Sequence, residues 1–415
     1  MRYLACRLSV IFLFLLYSLI LSVMAGPEFS SGLFFIRGAE IRTVTRGTIK
    51  KGDIILRDGK ISEIGENLAV PEGSVVIEAS GKIITPGLID SHSHLGTGVT
   101  MLKSEENDGS GPSTPHMRIL DSMHPEGIVP HEGTYKDAVA EGVTTVISRP
   151  GSGNVIGGQS LAIKLSGRTV DDMILRSPVD MKMAMGPKRY PTTSTRMGVA
   201  QVVRQAMLEA RKYKDSWDKY ESDKEAKPET RPPERNLTNE AMLKVLNREL
   251  PVHIHCSPIA DILTAMRLGD EFNFLKLSLA HGDDSWRVAD ELAKRGIVVV
   301  VGPNIVEYDD QGNLINLPQY LVEHGVEINI MTDTDIVQQE YLRHQVAVAV
   351  RHGLDPDEAL KAITINPARL IGAADRIGSL EAGKDADLVI FDGDPFDFQT
   401  SVLKTFINGE LVFGN

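Results

Sequence analysis

Gly87-Leu88-Ile89-Asp90-Ser91-His92-Ser93-His94 is the stretch on which the reading of this chain turns. Gly87–Asp90 is a short apolar run of the kind used by a strand covered on both faces, and two histidines follow at its carboxyl end. Side chains two apart on an extended strand point to the same side, so both imidazoles can face one ion, and imidazole is a common metal ligand. Seven comparable runs follow: Val143–Ser148, Ser160–Leu165, Met181–Met185, Val252–Cys256, Leu277–Ala280, Ile297–Val301 and Glu327–Met331. Helix-like segments such as Met197–Tyr213, Ile259–Leu268 and Trp286–Arg295 lie between them. Eight buried strands alternating with helices predict an α/β fold, a parallel (β/α)8 TIM-like barrel.

On such a barrel the carboxyl ends of the strands carry the active site. His255 stands at the end of the fifth predicted strand, His281 just after the sixth and Asp333 just after the eighth. With His92 and His94 this makes five ligand-type side chains on one rim, which core packing does not explain. The remaining histidines (His116, His124, His131, His324, His344, His352 and the deeper His253) are read as ordinary satisfied polar residues. Leu102–Gly133 and Lys188–Thr195 are loops after barrel strands, where specificity is usually set. Lys188, Arg189 and Tyr190 have the chemistry to hold a substrate carboxylate, although a solvated loop is the favoured reading. The mixed-charge run Lys212–Arg235 is read as a solvated helix and loop.

The flanks differ from the middle. Residues 32–84 read as short strands with tight turns, including the hairpin signal Asp58-Gly59. Residues 376–415 repeat the pattern, with turns at Asp392–Pro395 and Asn408-Gly409. Both ends are therefore expected to join in one small β-sandwich beside a barrel spanning residues 85–375. Residues 1–25 form a leader: Arg2 and Arg7, an apolar run from Leu8 to Met24, and small residues at Val23 and Ala25. This predicts a signal peptide and a secreted or extracytoplasmic protein, with an uncleaved anchor over residues 8–25 as the alternative.

The chain has 415 residues, 42% hydrophobic and 24% charged, enough for a large core. A net charge of −12 and the lack of a basic patch argue against nucleic acid as partner and leave a small-molecule substrate. Once the leader and Cys6 depart, Cys256 is the single cysteine, so no disulfide forms within one chain. A homo-oligomer is compatible with this composition.

Several motifs together resemble the amidohydrolase superfamily, in the branch of imidazolonepropionase-like hydrolases. They are TPGLIDSHSHLG (Thr85–Gly96), EGVTTV (Glu141–Val146), PGSGNVIGGQ (Pro150–Gln159), HIHC (His253–Cys256), LAHG (Leu279–Gly282) and MTDTD (Met331–Asp335), with a similar closing segment at Thr364–Pro395. The resemblance implies one or two divalent metals at the barrel mouth, zinc being the expected ion, although manganese, iron and nickel remain open. It implies that His92 and His94 hold the first metal and that His255 and His281 complete a second site or the rest of a single one. Asp333 would bind metal and take a proton from the attacking water. Binuclear relatives bridge the metals with a carbamylated lysine from the fourth strand. Lys182 occupies that place here, with Lys164 on the preceding strand as competitor, and a lysine lining the mouth as a substrate contact is the equal alternative reading of Lys182. Ser257 and Thr334 stand where relatives often carry histidine, which bears on substrate class. The implied activity is hydrolysis of an amide, cyclic amide or peptide-like bond, with a metallo-carboxypeptidase or dipeptidase, or a non-catalytic scaffold, as alternatives.

Overall fold

The computed structural model describes residues 32–97, 105–124, 135–225, 227, 229–334 and 336–414. The leader at 1–25, His131, Asp335 and parts of the loop Leu102–Gly133 lie outside these residues.

Both chain ends enter one eight-stranded sheet. Phe34–Arg42, Thr48–Arg57, Lys60–Gly65, Val75–Glu78 and Ile83–Pro86 come from the amino end, and Leu388–Phe391, Val402–Ile407 and Glu410–Phe413 from the carboxyl end. The ends meet where Leu388–Phe391 runs antiparallel to Ile83–Pro86, with Leu388 opposite Pro86 and Phe391 opposite Ile83. Asp58 and Gly59 both take positive φ, 50° and 77°, as the tight hairpin turn between Thr48–Arg57 and Lys60–Gly65 requires. Ile36, Ile41, Ile54, Ile61, Leu388 and Phe406 form its core. The ladders join these strands in one continuous sheet path.

All eight strands expected for the middle are present to within a few residues, but they do not pair as one closed parallel ring. Ile156–Gln159, Met181–Ala184, Val252–Cys256, Leu277–His281, Val298–Val301 and Ile328–Ile330 make a six-stranded sheet. Leu88–Ser93, Val143–Ser148, Leu161–Lys164 and Ile174–Arg176 make a four-stranded one. The third expected strand is also not parallel to its neighbours. Leu161–Lys164 runs antiparallel to Val143–Ser148, and Ile156–Gln159 antiparallel to Met181–Ala184. Between Val143–Ser148 and Leu161–Lys164 the chain makes only the strand Ile156–Gln159, which pairs in the other sheet, and has no helix of the kind that usually carries a parallel crossover.

The two sheets meet at two seams. At one, Ser160 carries the chain from one sheet to the other, its N–H donating to the Asp180 carbonyl at 3.0 Å and its carbonyl accepting from the Val179 N–H at 2.9 Å. At the other, Leu88–Ser93 lies beside Ile328–Ile330 without a ladder. There the Ser91 hydroxyl donates to the Ile330 carbonyl at 2.8 Å and the Asp333 N–H to the His92 carbonyl at 3.1 Å. Strand alternation sorts the side chains. Ile254, Cys256, Leu279 and Val299 join the large core shared with Val203 and Met207 of the helix Arg196–Asp223, while Ala280, Val298, Val300 and Met331 pack together in a smaller one. The charged run at 212–235 continues that helix and then leaves it, mostly exposed, as expected. No described helix is long and apolar enough to cross a membrane.

Candidate metal centre

The strand Leu88–Ser93 and the residue after it place His92 and His94, and the turn after Ile328–Ile330 places Asp333 against them. The Nε2 atoms of His92 and His94 each lie 3.5 Å from Asp333 Oδ1, and the three side chains offer ligand atoms all within 4.8 Å of one another. His281 Nε2 is 3.8 Å from the other carboxylate oxygen. The rings of His255 and His281 are 4.3 Å apart. Lys182 Nζ lies 3.4 Å from His92 Nε2 and 3.3 Å from Ser152 Oγ, and the side chain is fully buried. All six residues singled out in the sequence therefore converge. Lys164 does not: its ammonium is held by Asp385 at 2.7 Å, Asp387 and Asn408 at 2.6 Å, an ion cluster joining the middle of the chain to its carboxyl end.

The hydrogen bonds behind the histidines fix which nitrogen faces the centre. His94 Nδ1 lies 2.8 Å from the Arg149 carbonyl and His281 Nδ1 2.8 Å from the Gly302 carbonyl. A carbonyl only accepts, so both Nδ1 atoms carry hydrogen, and in the neutral rings both Nε2 atoms keep their lone pairs. His281 Nε2 is buried and has no hydrogen-bond partner among the described residues. Lone pairs and a carboxylate turned toward each other form a donor set that suits a cation of borderline softness such as zinc. His281 and Asp333 also adopt left-handed backbone conformations, φ 68° and 54°, of the sort that collects at functional sites.

Electrostatics follow from burial and from the crowding of cations. Burial raises the Asp333 carboxyl, but the hydrogen bond from His94 and the charges of His94, His281 and Lys182 outweigh it and hold it well below the usual carboxylate range. Burial, and then the Lys182 charge, pushes His92 well below its ordinary value. Burial and the neighbouring His281 do the same to His255. Burial lowers Lys182 to about 7.

Three residues near the centre were not singled out in the sequence. Arg149 is fully buried, pairs with Asp180 at 2.8 Å, and presents its carbonyl to His94; its place just after a strand end was the only available signal. His253 was read as an ordinary polar residue. It is satisfied, as expected, but by bonding a candidate ligand: its Nε2 lies 2.9 Å from His92 Nδ1 and its Nδ1 lies 2.7 Å from Ser278 Oγ. That chain allows His92 Nδ1–H to donate to His253 and leaves His92 Nε2 free for a metal. Gln339 carried no signal at all. The solvated reading of Lys188 needs correction: its ammonium donates to the Met185 carbonyl at 2.7 Å, and burial lowers it to about 8. Arg189 is exposed as expected. Cys256 faces the outer core, where burial pushes its thiol up.

A model of the amidohydrolase family matches residues 83–412. The chain belongs to the amidohydrolase family. It is a hydrolase acting on carbon–nitrogen bonds. Among curated relatives, this amidohydrolase is 26% identical over 399 residues to the amidohydrolase tasK of Hapsidospora irregularis, covering 87% of the chain but 40% of that longer protein. It is 26% identical over 403 residues to the imidazolonepropionase of Mesorhizobium japonicum, covering 89% and 94% of the two chains. An amidohydrolase structure from Thermotoga maritima superposes with a TM-score of 0.82 at 34% identity, over 92% of this chain and 100% of that one.

Proposed function

We propose that this amidohydrolase cleaves an amide, cyclic amide or peptide-like bond with a water activated at one or two divalent metal ions. His92, His94, His255, His281 and Asp333 would hold them, with Lys182 as bridge. The observation that carries this reading is the carbonyl-locked pair His94 and His281, whose Nε2 atoms both face Asp333. A bound divalent ion supplies a lowered water pKa, near 7, and polarises the scissile carbonyl. The protein's part is then proton transfer: Asp333, kept ionised by its cationic neighbours, accepts the proton of the attacking water and passes it to the leaving nitrogen.

Lys182 would serve as bridge after carbamylation. Its neutral amine forms a bond to carbon dioxide and releases one proton, converting a cation that repels metal ions into an anion that binds them. A group lowered to about 7 by burial has a substantial neutral fraction at neutral pH, which favours that reaction.

The likeness to imidazolonepropionases supports a small substrate bearing a carboxylate, which Lys188 would receive. Among the described residues no carboxylate pairs with its ammonium; Asp261, which acts on it electrostatically, is held by Arg196 at 2.8 Å. Lys188→Met is expected to raise KM for carboxylate-bearing substrates by roughly 10-fold or more, as loss of a charged hydrogen bond implies, with kcat nearly unchanged. An unaltered KM across a panel of cyclic amides, N-acyl amino acids and dipeptides would remove Lys188 from the substrate site.

The experiment that tests the whole reading is metal content and hydrolysis of that panel by the protein lacking residues 1–25. About one or two ions per chain, with turnover that stops on chelation and returns with zinc or manganese, is the expected result. A folded protein that takes up no divalent ion would sink it. Export is part of the same proposal: the secreted chain is expected to begin at Gly26 by amino-terminal sequencing, and an intact Met1 in the membrane fraction would favour the anchor.

A further inference from the structure

We infer that Gln339 is a positioning residue, clamping Asp333 against the His92–His94 strand across the seam that lacks strand pairing. The inference deepens the metal-site reading above and rests on it for its functional consequence. Leu88–Ser93 and Ile328–Ile330 lie side by side without a ladder, yet they and the residues that follow them carry three of the proposed ligands, His92, His94 and Asp333. Something other than regular sheet bonding must fix their separation.

The structure shows what does. Gln339, on a short 3-10 turn and fully buried, sits between the two segments. Its Nε2 donates to Asp90 Oδ2. Its Oε1 accepts from the Ser93 hydroxyl at 2.7 Å and from the Thr334 hydroxyl at 2.8 Å. Asp90 completes the bridge, accepting the Thr332 hydroxyl at 2.6 Å and N–H at 3.2 Å on one oxygen and the His92 N–H at 3.0 Å on the other. Ser93 in turn accepts the Leu95 N–H at 2.9 Å.

Every spoke ends beside a proposed ligand. Thr332 and Thr334 flank Asp333, Ser93 lies between His92 and His94, and Asp90 receives the His92 amide. Asp333 needs such support because its left-handed backbone, φ 54°, is a sparsely populated conformation that persists only where its surroundings over-determine it. Ser91–Ile330, Asp90–Thr332 and Asp333–His92 bonds cross the seam directly, and the single primary amide of Gln339 adds both a donor and an acceptor that tie their carriers together. No hydroxyl reaches as far, and a carboxylate would set a second negative charge against Asp90. Partners of this kind around a metal site commonly change metal affinity 10–100-fold when lost.

The test compares the parent protein with Gln339→Met, close in volume but unable to make these bonds, and Gln339→Glu, which keeps the acceptor and loses the donor. Zinc affinity by chelator competition is expected to weaken about 10–100-fold in both. In the metal-free proteins, hydrogen exchange at the amides of Thr332, Asp333 and Thr334 is expected to speed up selectively, while distant strands keep their protection. This second readout needs no metal. A parent that binds no zinc therefore overturns the functional reading and leaves the clamp to be decided by exchange. Unchanged zinc affinity together with unchanged local exchange overturns the clamp, as does a uniform loss of protection that marks Gln339 as generally structural. If neither substitution folds, Thr334→Val removes one spoke and carries the same test, with a smaller shift in the same direction expected.

Discussion

Asp333→Asn is expected to lower kcat by about 10²–10⁴-fold, the range lost when a positioned proton-transfer group is removed. Asparagine has the same shape and tolerates the left-handed backbone that Asp333 adopts, so the turn should survive. What it cannot do is accept a proton from water or balance the cationic side chains around it. His94 depends on that balance: burial lowers its affinity for a proton, but the bond and charge of Asp333 more than compensate. The variant should bind metal more weakly because it lacks an anionic oxygen at the centre, an effect opposed by the lower proton affinity of His94, so kcat must be compared at saturating zinc. Activity within about tenfold of the parent under those conditions would show that another group moves the proton.

Lys182→Met should produce opposite effects on function and on stability. The substitution removes the nitrogen that carbon dioxide would modify, so metal content is expected to fall, from about two ions to about one if the centre is binuclear. Turnover should drop at least 100-fold, on the order of a lost charge-stabilising group. The metal-free protein should meanwhile become more stable. Burial lowers Lys182 from 10.5 to about 7, so between those values the unfolded chain holds a proton that the folded chain lacks. The parent therefore loses stability as pH falls through that window, and below about pH 7 the full cost of burying the ammonium is present. The uncharged thioether of the Lys182→Met variant escapes that cost. Denaturant unfolding of the metal-free proteins should separate them by a few kcal/mol below about pH 7 and bring them together near about pH 10.5. A variant no more stable than the parent at low pH would mean that Lys182 is already compensated by its neighbours. Unchanged metal content would remove it from the bridge.

The cluster of candidate ligands was legible because each member sits in a local pattern that needs no partner to be seen: a residue type with lone pairs, at the carboxyl end of an apolar run. His92 and His94 share one strand, and His255, His281 and Asp333 each follow their own. The eight strands themselves were legible for the same reason, since burial on both faces leaves a continuous apolar stretch. The direction of the third strand depended on a connection that strand periodicity does not carry: no helix lies between Ser148 and Leu161 to bring the chain back parallel. Lys164 and Lys182 looked alike as sequence, each a lysine within an apolar strand. Only their surroundings separate them, one facing Asp385 and Asp387, the other His92.

Residue order alone supplied the inventory: which side chains could bind metal, on which strands, and that both ends of the chain are β-rich. How that inventory is held is a matter of packing. Arg149 reaches His94 through a backbone carbonyl, His253 reaches His92 through a ring nitrogen, and Gln339 reaches Asp90 across 249 positions of chain. None of these contacts has a spacing or a periodicity, because hydrogen bonds between distant segments are fixed by where the strands pack. Ligand identity is a property of residue type and strand position; ligand orientation is a property of the surrounding fold.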